Sequence, residues 1–107
     1  MPISSDLLRG HTDTIILAQL ARGDNYGYEI NKNIQQLTNG EYGLKEATLY
    51  TAFKRLEQSG LIRSYWGDEG AGARRRYYAI TEEGKTILSQ SRAEWEHTRG
   101  LLDALVF

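Results

Sequence analysis

Three consecutive arginines, Arg74, Arg75 and Arg76, are the residues of this 107-residue chain whose chemistry stands out first. A guanidinium is a planar fork of donors that fits phosphate oxygens and also enters a narrow minor groove. The arginines close a glycine-spaced stretch, Gly67-Asp-Glu-Gly-Ala-Gly-Ala. Upstream of it, Lys45, Thr48, Tyr50, Thr51 and Lys54 lie in a single segment, KEATLYTAFKRLEQSG. Threonine offers a methyl and a hydroxyl to base edges, and lysine bonds to guanine or phosphate. Both groups perform non-covalent recognition of a polyanion. Each has a plainer alternative: an amphipathic helix with a solvated outer face, and a solvated turn in which Asp68 and Glu69 neutralise the arginines.

Bond-breaking chemistry finds no support. There is no cysteine, which excludes disulfides and thiolate metal sites, and His11 and His97 have no paired ligand spacing. No phosphate-binding loop or nucleophile elbow is present. Glu82-Glu83 and the pair Glu94 and Glu96 read as solvated helix charges. The expectation is no enzyme, no metal and no cofactor.

The recognition residues need elements to hold them. A first helix is expected from about Ser5 or Asp6 to Ala21, stopped by Gly23. Its apolar residues cover more than one stripe, as in a helix buried on two sides. A second runs from near Tyr26 to Leu37, with Tyr26, Ile30, Ile34 and Leu37 on one face. The third, from Lys45, buries Leu49, Ala52, Phe53 and Leu56 and ends at Gly60, a candidate left-handed terminator. With Leu49 at the centre of the buried face, Thr51 and Lys54 point outward, flanked by Thr48 and Tyr50. Two alternating runs, Leu61–Trp66 and Arg76–Thr81, form a hairpin. There Arg74 and Arg76 share one side and Arg75 takes the other. Thr81 caps a last helix reaching almost to the C-terminus. The fold class is mainly α with a small β-hairpin: a winged helix-turn-helix followed by a C-terminal dimerisation helix. Residues 1–80 are the expected DNA-binding domain, with residues 5–22 shared with the dimer, and residues 81–107 the dimerisation helix.

Charge is distributed accordingly. The chain carries a net −1, but residues 41–80 hold seven basic and five acidic side chains, net +2. Residues 1–40 come to −1 and residues 81–107 to −2. An excess of two is small for a DNA surface, so tight binding calls for two copies of the domain. No apolar run is long enough to span a membrane, and the N-terminus lacks the order of a signal peptide. The expected location is cytoplasmic.

The last helix supplies a means of pairing. Leu88, Trp95 and Leu102 recur every seven residues, with Ser91, Thr98 and Leu105 between them. Small polar neighbours leave room beside the Trp95 indole, where a flat aromatic ligand would stack. The alternative is that Trp95 is simply a core aromatic of a dimer interface.

Several motifs together resemble the PadR family of bacterial transcriptional regulators. They are Ala47-Thr-Leu-Tyr-Thr-Ala-Phe-Lys-Arg-Leu-Glu57, Gly60-Leu-Ile, Tyr65-Trp-Gly-Asp-Glu69, Arg74-Arg-Arg-Tyr-Tyr78, Ile80-Thr-Glu-Glu-Gly84 and Asp24-Asn-Tyr-Gly-Tyr-Glu-Ile30. The short form, with one C-terminal helix, resembles the multidrug-sensing, LmrR-like subfamily. The resemblance implies a homodimeric repressor on a pseudo-palindromic double-stranded operator near a transporter or stress gene, relieved by a planar aromatic effector. It implies that Leu7, Gly10, His11, Thr14, Ser91, Trp95 and Arg99 line a pore at the dimer interface. Leu8, Leu88, Trp95, Leu102 and Leu105 are the expected interface residues. Arg99 stands where an acidic residue would favour cationic ligands.

Overall fold

The structure, a computed structural model, describes residues 4–67 and 74–107. Eight elements follow in order: α1 (Ser4–Arg9), α2 (Thr12–Ala21), β1 (Asn25–Tyr26), α3 (Gly27–Leu37), α4 (Glu46–Gln58), β2 (Ile62–Gly67), β3 (Arg75–Ile80) and α5 (Glu82–Val106). The hairpin tip, with Asp68, Glu69, Gly70 and Gly72, lies outside the described residues, as does the N-terminal Met1–Ile3. No helix is long and apolar enough to cross a membrane among the described residues.

The first expected helix is in fact two. Gly10 and His11 form a turn between them, with the His11 N–H donating to the Leu8 carbonyl at 2.9 Å. Glycine costs a helix interior about 1 kcal/mol, and the Thr12 hydroxyl competes for the Arg9 carbonyl at 3.0 Å. Beyond the turn, α2 buries Ile16, Leu17 and Leu20 fully and Ile15 and Ala18 partly. It is apolar on more than one side, as its sequence implies.

Helices α3 and α4 keep their expected faces. Ile30 and Ile34 are buried on α3, but Leu37 is exposed at its end. Leu49, Ala52, Phe53 and Leu56 are buried on α4. A side-chain amide ties the connection between the two helices. Asn31 Nδ2 donates to the Leu44 carbonyl, and its Oδ1 accepts from the Leu44 N–H, each at 2.8 Å. This fixes where α4 begins. At its end Gly60 adopts φ +78°, and the Leu61 N–H returns to the Leu56 carbonyl at 3.0 Å.

The sheet has one strand more than expected. Its order is β1-β3-β2, all antiparallel. Asn25 and Tyr26 have no alternation of their own and become a strand only by pairing with Tyr78 and Tyr77. Tyr26, Tyr77 and Tyr65 stand opposite one another across the strands, with rings 5.4 and 5.7 Å apart. On the other face Ile62 and Tyr78 turn into the core, and Phe53 stacks on Tyr78 at 3.9 Å.

Thr81 caps α5 by accepting from the Gly84 N–H at 3.1 Å, and its hydroxyl donates to the Gly60 carbonyl at 2.7 Å. Gly84 is buried so closely that a Cβ there would lie 2.1 Å from the Leu61 carbonyl oxygen. Leu88 requires a correction. It is 3% exposed and belongs to the core of its own domain, so it is not available to a partner. A seven-residue spacing marks a helix face but does not say what covers it. Beyond Leu88 the helix runs on with no buried residue, and Trp95, Leu101, Leu102, Leu105 and Val106 are all exposed. The 25-residue helix is about 37 Å long at 1.5 Å per residue.

Candidate nucleic-acid interface

Two surfaces collect the residues singled out by sequence. The first is the outer side of α4 with the hairpin beside it. Lys45 is the N-cap residue of α4, its carbonyl accepting from the Leu49 N–H at 2.9 Å. Thr48, Thr51 and Lys54 are exposed on the helix. Thr48 and Thr51 border an open cleft of about 570 Å³ whose other wall is the α1–α2 corner, with Arg9, Gly10 and Asp13. Tyr50 leans the other way. Its hydroxyl lies 2.6 Å from where a Gly27 Cβ would be, and its ring meets Phe53 edge-on. Gly27 thus lets Tyr50 fold over the first turn of α3.

The three arginines divide as strand geometry demands. Arg74 lies over the Trp66 ring at 5.3 Å and Arg76 over the same ring at 5.8 Å. Arg75 lies on the opposite face, over Tyr26 at 4.7 Å. Arginine over an aromatic ring keeps its charge while its fork is aligned. All three are exposed, and with Tyr26, Tyr28 and Tyr50 they border a cleft of about 330 Å³. Tyr28 is not among the residues singled out from sequence. It is 72% exposed beside the arginines, at the start of α3. The Tyr-Gly-Tyr run at 26–28 is its only signal there.

Arg55 is likewise absent from the sequence-derived candidates. Its guanidinium is clamped by Asp13 of α2, with Nε donating to Oδ2 at 3.2 Å and Nη2 to Oδ1 at shorter range. The hydrogen bond to Asp13, followed by its charge, raises the Arg55 pKa further.

The second surface lies at the junction of α1, α2 and α5. A largely apolar cavity of about 570 Å³ is bordered by Leu7, Leu8, His11, Thr14, Ile15, Ser91, Arg92, Trp95 and Leu102. The His11 and Trp95 rings meet edge-on at 5.5 Å. Leu7, His11, Thr14, Ser91 and Trp95 thus border one cavity, whereas Gly10 and Arg99 do not border it. Leu105, 81% exposed, lies farther along α5 and does not border it either.

The model of the Transcriptional regulator PadR-like family matches residues 16–90, more than half of the chain. The chain belongs to this family. Among solved structures, a transcriptional regulator from Clostridium thermocellum is 50% identical, with a TM-score of 0.86 over 96% of this chain and 100% of that one. An uncharacterised protein of Lysinibacillus sphaericus is 45% identical, over 94% of this chain and 93% of its own length. PadR of Bacillus subtilis, solved in complex with operator DNA, shares the fold, with a TM-score of 0.68 at 24% identity. That match spans 78% of this chain and 46% of the Bacillus protein. The β2–β3 hairpin of the three-stranded sheet is the wing, and α5 the C-terminal helix, of a PadR-like winged helix.

Proposed function

We propose that this PadR-like regulator is a homodimeric repressor. Its reading element is α4 and its wing is the β2–β3 hairpin. Lys45, Thr48, Tyr50, Thr51 and Lys54 would meet the major groove, and Arg74 and Arg75 the flanking backbone or minor groove. The observation that carries this is the exposure of the α4 outer face next to a hairpin bearing three ring-stacked arginines. The fold it shares with Bacillus subtilis PadR, which was solved on operator DNA, supports the same reading.

Pairing is supported by the uncovered half of α5. An isolated helix is marginal in water, and this one carries an exposed apolar stripe of Trp95, Leu101, Leu102, Leu105 and Val106. A second chain laid along Trp95, Leu102 and Leu105, with Leu8 of α1, would cover it. The cavity at Trp95 would then be half of a shared site for a flat aromatic effector, with Leu7, His11, Thr14 and Ser91 around it. Occupancy would alter the separation of the two reading helices and release the operator. Residues 1–80 would form the DNA-binding domain and residues 81–107 the dimerisation helix. The regulated gene would encode a transporter or a stress response.

A gel shift with DNA from upstream of the chain's own gene tests this. The expected result is a sequence-specific complex that Arg75→Ala weakens. No specific shift would favour the rival reading, a winged-helix module for protein contacts. Quenching of Trp95 emission by planar aromatics tests the effector, with Trp66 kept and Trp95→Ala as control. Quenching unaltered in the control would remove the effector and leave a DNA-binding dimer alone.

A further inference from the structure

Arg76 is held from two other elements. Its Nη2 donates to the Ser64 hydroxyl at 2.8 Å and lies 3.6 Å from Glu57 Oε1. Ser64 Oγ in turn donates to Glu57 Oε2 at 2.6 Å. The three residues come from three elements. Glu57 is in the last turn of α4, Ser64 in β2 and Arg76 in β3. We infer that Arg76 is a positioning residue and not a phosphate contact. With Ser64 and Glu57 it fastens the hairpin to the C-terminal end of the reading helix. It thereby sets the angle between the two DNA-facing elements. This rests on the DNA-binding reading above and deepens it.

The charges favour this division of labour. Glu57 has a partly exposed carboxylate on the DNA-reading helix, which would repel phosphate if left bare. Arg76 neutralises it, so the pair adds no net charge to the surface. A half-exposed pair of this kind contributes little to stability, which leaves geometry as its main effect. The Phe53–Tyr78 stack already anchors the root of the hairpin. Arg76 is farther toward the tip, opposite Trp66 and one pair before Gly67–Arg75. A tie at that point resists swinging of the tip, where Arg74 and Arg75 sit.

Salt dependence separates a phosphate contact from a positioning residue. Removing one phosphate contact lowers the slope of log affinity against log salt by about one. The full-length chain is titrated onto DNA from upstream of its gene across a salt series. Arg75→Ala is expected to weaken binding and reduce the slope by about one per protomer. Arg76→Ala is expected to weaken binding several-fold with the slope unchanged. Glu57→Gln should also weaken binding, although it removes a negative charge, and the double variant should be no weaker than the worse single one. Amide hydrogen exchange of the free protein supplies a readout without DNA. Exchange at Ile62–Gly67 and Arg75–Ile80 should quicken in both variants, with Arg76→Lys as the conservative check. An equal fall in slope for Arg76→Ala and Arg75→Ala, tighter binding by Glu57→Gln, or unaltered exchange would each overturn the inference. A wild-type chain that binds no DNA would refute the regulator reading instead, and exchange alone would then decide whether the tie holds the hairpin.

Discussion

Asp13 and Arg55, 42 residues apart in sequence, join α2 to α4 by two side-chain hydrogen bonds. One turn of α2 therefore serves two surfaces. His11 and Thr14 border the Trp95 cavity, and Asp13 between them holds α4. The pair is about half exposed, so its contribution to stability should be small, about 0.2–1 kcal/mol. Asp13→Asn should lower the urea midpoint only slightly, and less so in high salt. Its larger effect should be on DNA affinity. A drop of several kcal/mol on urea unfolding would show that the pair is buried in solution.

Two glycines of α5 should respond oppositely to alanine. At Gly84 a Cβ would meet the Leu61 carbonyl oxygen at 2.1 Å and Ile80 Cγ1 at 2.7 Å. Gly84→Ala must displace backbone and should cost about 1–3 kcal/mol or more. At Gly100 nothing lies within 4 Å of the added carbon. There the gain in helix propensity should stabilise by about 0.5–1 kcal/mol. Thermal unfolding of both variants checks this, and destabilisation by Gly100→Ala would place a partner chain against that point of α5.

The last turns of α5 should be helical only when covered. Leu102→Asp puts a carboxylate into the exposed stripe beside Trp95. Sedimentation should show the chain passing from dimer to monomer, with a decrease in helical circular dichroism from the C-terminal turns. A monomeric wild-type chain with full helicity would contradict this.

Much of this architecture is legible in the residues. Leu49, Ala52, Phe53 and Leu56 mark the buried face of α4 by their spacing, and Thr81 with Gly84 marks the start of α5. The alternation that separates Arg75 from Arg74 and Arg76 is equally readable. The features that local pattern does not reveal depend on distant partners. Asn25–Tyr26 is a strand only because β3 lies alongside it. The break at Gly10 is hidden by apolar residues on both sides of it. Leu88 has the spacing of an interface residue, yet it is buried in the core of its own domain. The hold of Ser64 and Glu57 on Arg76 spans three elements, and three arginines in a row give no sign of it.

Alkaline pH should weaken the fold through Tyr78. Burial raises its phenol above the ordinary value, with Arg76 opposing. Below about pH 10 the phenol is neutral in both folded and unfolded chains, and its contribution to stability is constant. Above that the unfolded chain releases the proton first, so stability declines as pH rises toward the folded value. Tyr65, raised mainly by its 2.6 Å hydrogen bond to Asp24, acts in the same direction. Tyr78→Phe retains a ring to stack on Phe53 and should reduce the decline in thermal stability above pH 10. An identical pH profile in the variant would assign the decline elsewhere.

Hydroxyl-radical footprinting on DNA from upstream of the chain's own gene tests the proposed pairing of two reading helices most directly. A dimer of winged helices should protect two patches with centres about 34 Å apart, one helical turn of DNA. Arg75→Ala should weaken protection at the flank of each patch. Protection of a single patch, or the same pattern on DNA of scrambled sequence, would contradict a sequence-reading homodimer.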